Sequence, residues 1–173
     1  MRIRHKLAAS GVTVAAVISA VVVSGGTANA APFPNTEIGV LGSSHCLDNA
    51  TEINSVLQMW SCTGGNEQQW AEDFDMTHDN FAIINFNTGW CITAPPSGAG
   101  RVEMEPCPGS ISQISESQKW TRLATGTDAS GSWTQWQNVS SKLCLDTPSV
   151  ANRTLLQAEP CNLGVSYQKF SER

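Results

Sequence analysis

Apolar and β-branched residues come in short runs along this chain, such as FAIINF from Phe81 to Phe86 and WTQWQNV from Trp133 to Val139, divided by turns of Gly, Ser, Asn and Pro. Runs of this length and composition predict strands. After residue 30 no segment keeps a helical period for three turns without a Gly or Pro interrupting it, so helices are not expected. The predicted fold class is all-β.

The strands belong to a repeat. CLD at Cys46-Leu47-Asp48 returns as CIT at Cys91-Ile92-Thr93 and again as CLD at Cys144-Leu145-Asp146. A Gln-x-aromatic triplet returns at Gln68-Gln69-Trp70, Gln118-Lys119-Trp120 and Gln168-Lys169-Phe170, with a constant step of 50 residues. A period of that size marks an architecture of repeated supersecondary units, here three copies of one unit. All six cysteines follow the period in pairs of nearly equal separation: Cys46 with Cys62, Cys91 with Cys107, Cys144 with Cys161. One spacing repeated three times favours pairing within each unit, and each closed loop contributes roughly 3 kcal/mol through the unfolded state. The terminal aromatics Trp70, Trp120 and Phe170 are expected at equivalent places in one core. The glutamine two residues before each is expected to bond a neighbouring backbone turn.

Three units that each join Cys-Leu-Asp or its variant, a second cysteine and Gln-x-Trp or Gln-x-Phe resemble the ricin-type β-trefoil lectins and carbohydrate-binding modules. The resemblance covers Ile38 to Arg173, behind an N-terminal extension of residues 31–37. It implies a pseudo-threefold β-trefoil with three disulfides inside the units and up to three shallow sugar sites. In this family the sugar is held by the Asp after the first cysteine, by a polar residue and an aromatic before the second, and by an Asn-Gln pair opening the triplet. Carboxylate and amides bond hydroxyls while the ring covers the apolar sugar face. Carried onto the first unit, these roles fall on Asp48, Gln58, Trp60 and Gln68, with Glu67 in place of the usual Asn and Asn66 one residue earlier. The second unit has Thr93, Glu103, Glu105 and Ser117 at the matching positions and is expected to be inactive. The third keeps Asp146, Gln157 and Gln168 but has Glu159 for the aromatic and Tyr167 for the Asn. Tyr167 has two readings, a stacking face for sugar or a side chain packed into the barrel.

Composition changes the picture mainly through the first thirty residues. Arg2, Arg4 and Lys6 precede an apolar run from Leu7 to Val23 and the small residues Ala28-Asn29-Ala30, the pattern of a secretory signal peptide. A secreted, extracellular protein without membrane insertion is expected, an oxidising setting that suits disulfides. Without that leader 7 basic residues face 15 acidic ones, which argues against nucleic acid as a partner. A chain of this length is expected to form a single domain.

No catalytic constellation stands out. GxSxG and HExxH are missing, and beyond the leader only His45 and His78 remain. EDFDMTHDN from Glu72 to Asn80 resembles a calcium loop loosely, without its central Gly or twelfth-position Glu, and reads as a solvated turn. The expectation is a carbohydrate-binding protein, for galactose- or xylose-type sugars or polysaccharides, that uses mainly the first repeat and needs no metal or cofactor. The alternative is a trefoil that binds a protein partner, as inhibitors and toxin subunits do.

Overall fold

The computed structural model describes residues 36–50, 53, 55–75 and 79–173. The predicted leader, residues 1–30, and most of the extension lie outside the described residues. The first unit holds β1 (Thr36–Val40), β2 (His45–Asn49), β3 (Leu57–Ser61) and β4 (Gln69–Asp75). The second holds β5 (Asn80–Asn85), β6 (Trp90–Thr93), β7 (Gly100–Arg101), β8 (Glu103–Pro106) and β9 (Trp120–Asp128). The third holds β10 (Gly131–Asn138), β11 (Cys144–Asp146), β12 (Thr154–Leu155), β13 (Gln157–Glu159) and β14 (Phe170–Glu172). The two runs predicted as strands are β5 and most of β10.

The first and last strands of the units close a six-stranded antiparallel barrel, in the order β1-β4-β5-β9-β10-β14 and back to β1. Thr36 and Glu37 pair with Trp70 and Gln69, which extends the barrel two residues upstream of the expected boundary at Ile38. The middle strands form three hairpins, β2 with β3, β6 with β8 and β11 with β13.

Each hairpin also borrows a strand edge from another unit. Leu155 pairs with Gln58, Arg101 with Gln157, and Val56 with Glu103, so the three hairpins interlock around the pseudo-threefold axis. Backbone groups that a lone hairpin would leave bare are satisfied in this way.

Trp70, Trp120 and Phe170 lie fully buried in one apolar cluster with Leu47, Ile92 and Leu145, the residues that follow the first cysteines. All three disulfides close within their units, Cys46–Cys62, Cys91–Cys107 and Cys144–Cys161. Of the segment read as a solvated turn, Glu72 to Asp75 belong to β4 and Asn80 opens β5, while residues 76–78 lie outside the described residues. Glu72, 8% exposed, lies on β4 and forms an ion pair with Arg122 of β9. Barrel closure buries it, because the side chains of a barrel strand alternate between the two faces.

Candidate functional site

The recurring triplet ties a unit to both of its cysteine strands. The Nε2 of Gln68, Gln118 and Gln168 donates to the carbonyl just before the second cysteine, Ser61 at 3.1 Å, Pro106 at 3.2 Å and Pro160 at 3.1 Å. The indoles of Trp70 and Trp120 donate to the carbonyl just after the first cysteine, Leu47 at 3.1 Å and Ile92 at 3.0 Å. Phe170 has no such donor and instead stacks on Trp136, with ring centroids 5.4 Å apart.

In the first unit this fastener also builds a site. The β2–β3 register sets Asp48 opposite Gln58 and Cys46 opposite Trp60. Gln58 Nε2 donates to Asp48 Oδ1 at 2.9 Å, and Gln68 Nε2 donates to Oδ2 at 3.0 Å. Each carboxylate oxygen therefore keeps acceptor capacity for one more donor while its position is held from both sides.

Burial pushes the Asp48 carboxyl above the ordinary aspartate range, against the opposing effect of the Gln58 and Gln68 hydrogen bonds, and the Glu67 charge adds to the rise. Asp48, Gln58, Trp60 and Glu67 line a cavity of about 530 Å³ whose apolar rim carries Ile53, Val56 and Leu155. Carboxylate, amide and half-exposed indole around one concave space can hold vicinal hydroxyls against a ring face.

In the loop that delivers Glu67, Gly64 has φ 74°, a conformation that suits glycine. The Glu67 carboxylate lies close over Gly65.

The sequence profile of the ricin-type β-trefoil lectin domain matches residues 34–170. The chain belongs to that family. Among curated proteins none matches the sequence at a significant level.

Solved structures share the trefoil fold. The designed threefold-symmetric protein ThreeFoil superposes with a TM-score of 0.64 at 16% identity, over 80% of this chain and 96% of its own. The hemolytic lectin CEL-III gives 0.64 at 26% identity, over 82% of this chain but only 33% of its own length. A ricin B-like lectin of Macrolepiota procera, solved with lactose, gives 0.61 at 14% identity over 80% and 93%.

Within this ricin-type trefoil the three units differ in what they place at the site. The resemblance assigned Gln68 to the sugar directly, yet it is fully buried and acts on Asp48 from behind. Glu67 lines the cavity, whereas Asn66 is exposed and does not.

In the second unit Thr93 sits opposite Glu103 and Cys91 opposite Glu105. Thr93 turns its hydroxyl back to the Cys91 carbonyl at 3.2 Å, and Glu103 is engaged by Arg101 at 3.8 Å. No carboxylate and no ring stand where the first unit has them.

In the third unit Gln157 Nε2 donates to Asp146 Oδ1 at 3.0 Å, but Gln168 does not complete the arrangement. Its Oε1 accepts from the Asn162 backbone N–H and from Gln135 Nε2, each at 2.8 Å. Tyr167 is 41% exposed, so the reading in which it packs into the barrel is excluded.

A second groove of about 470 Å³ runs along β9 and β10 beside Arg122, Trp133 and Glu172, and none of the candidate sugar-binding residues line it. Lys169 Nζ sits 4.6 Å from the Trp133 ring centroid.

The sequence reading missed the residues that complete the first cavity from elsewhere. Arg153 and Leu155 come from the third unit, and Ala50, Ile53 and Val56 from the β2–β3 connection. Arg153 and Leu155 enter through strand pairing between units, for which the sequence carries no local signal.

Proposed function

We propose that this protein binds carbohydrate, with the first-unit cavity as its principal site, and that it does so outside the cell as a binding module without catalysis of its own. The carrying observation is the Asp48 carboxylate, held by Gln58 and Gln68 beside Trp60 in one concave space. The lactose-bound relative supports a sugar ligand. The leader-like residues 1–30 and the three disulfides support export.

Galactose- or xylose-type sugars and their polymers are the ligand class to test first. A shallow site of about millimolar strength has only about 4 kcal/mol to lose, and hydrogen bonds to a charged group are worth about 1.5 to 3 kcal/mol. Asp48→Ala and Trp60→Ala should therefore each abolish measurable monosaccharide binding on a glycan panel, whereas Glu105→Ala should leave it intact. Parental binding by both correctly folded variants would refute the site. Retention of the protein by a protein bait, with no glycan bound, would favour the partner-binding trefoil instead.

A further inference from the structure

One rim of the first cavity does not belong to the first unit. The turn before β12 is fastened onto β3, where Arg153 N donates to the Met59 carbonyl at 2.9 Å and Asn152 Oδ1 accepts from Ser61 N at 2.8 Å. Arg153 itself holds φ 68°, a backbone conformation that a non-glycine residue keeps when its surroundings fix it. Its guanidinium carbon lies 5.7 Å from the Trp60 ring centroid, at the wall of the cavity that Asp48 floors.

Among the described residues no carboxylate pairs with this guanidinium and no acceptor takes its N–H groups. Asp48 accepts from Gln58 and Gln68 and forms no ion pair with Arg153. Glu67, the other acid of the cavity, forms no ion pair with Arg153 and is approached by Thr63 Oγ1 at 3.4 Å. Arg101, on strand β7 that pairs with β13, is by contrast matched with Glu103.

We infer that Arg153 makes the first-unit cavity selective for an acidic sugar, one whose hydroxyls meet Asp48 while its carboxylate or sulfate meets the guanidinium. This rests on the carbohydrate reading above and narrows its ligand. A planar fork of donors matches a carboxylate or sulfate ester with two parallel hydrogen bonds, which a neutral hydroxymethyl group cannot return. The two acids among the described cavity residues set the orientation, because an anionic substituent next to Asp48 or Glu67 would be repelled and the Arg153 end receives it.

Calorimetric titration of the full protein with galactose, galacturonic acid and galactose 6-sulfate at low ionic strength tests this. One or both anionic sugars should bind about tenfold tighter than galactose, and the advantage should shrink as salt is added. Which of the two gains separates a carboxylate from a sulfate preference. Arg153→Gln should bring the acid-to-neutral ratio to about one, while Arg101→Gln should keep it at the parental value. Equal binding of all three sugars overturns the inference, as does an acid preference that survives Arg153→Gln or falls equally with Arg101→Gln. Loss of every sugar from the parent protein would instead overturn the carbohydrate reading, and this inference with it.

Discussion

Asp48 and Gln68 divide the work of the site between charge and support. Asp48 presents acceptor capacity to the cavity. Gln68, fully buried, spends its amide on Asp48 Oδ2, the Ser61 carbonyl and the Thr63 backbone N–H, at 3.0, 3.1 and 2.7 Å. Gln58 is half-buried and bonds Asp48 Oδ1. The two glutamines should therefore separate in experiment. Gln68→Ala should cost about 2 to 3 kcal/mol of folding stability as well as sugar affinity, because it leaves buried partners unsatisfied. Gln58→Ala should lower affinity with a stability change below about 1 kcal/mol. Denaturant midpoints measured beside sugar titrations check both, and an unchanged midpoint for Gln68→Ala would contradict the role assigned to it.

At the scale of elements, each unit is a hairpin closed by a disulfide and bolted to the barrel by its Gln-x-aromatic triplet. Cys46 is paired in register with Trp60, so the first disulfide is anchored on the strand position opposite the residue that presents the ring. Replacing Cys46 and Cys62 by Ser should lower stability by about 3 kcal/mol. It should also weaken sugar binding more than the same exchange at Cys91 and Cys107, whose unit has no ring at the site. Thermal melts and binding titrations of the two double variants check this ordering. Equal losses of binding would mean that the disulfides act only on global stability.

Much of this level was legible in the sequence. Spacing alone favoured pairing within units, and the constant step between triplets placed Trp70, Trp120 and Phe170 in one core. The direction of the fastener bonds was not legible, because it depends on which carbonyl a folded hairpin brings beside each amide.

The whole molecule adds a buried acid at the barrel wall. Glu72 of β4 pairs with Arg122 of β9, whose guanidinium carbon lies 5.0 and 4.6 Å from the ring centroids of Phe74 and Phe81. Burial raises its carboxyl from 4.5 to about 7, outweighing the attraction of Arg122, and the Glu172 charge adds to the rise. The folded state then holds this proton more tightly than the unfolded chain. Glu72 accordingly contributes most to stability below pH 4.5, and the contribution is lost as pH rises through about 7. Glu72→Gln, which stays neutral, should flatten the fall in denaturant midpoint across that window. An identical pH profile for parent and variant would show that Glu72 titrates normally.

The sequence by itself determined the repeat and the all-β class and favoured disulfide pairing within the units. These follow from residue types at fixed spacings, and a strand or a local loop closure translates spacing directly into position. The candidate residues of the first site came from the resemblance to the ricin-type lectins. Which residues face the first-unit cavity was decided by the tertiary structure. Gln68 and Glu67 are neighbours in the chain, yet closure of the β2–β3 hairpin over the triplet buries one behind Asp48 and leaves the other at the cavity. Arg153 is far from Asp48 in sequence and reaches its cavity because β12 pairs with β3. Pairing between units satisfies backbone groups that carry no side-chain signature, so the site's third-unit wall exists only once three hairpins have met around one axis.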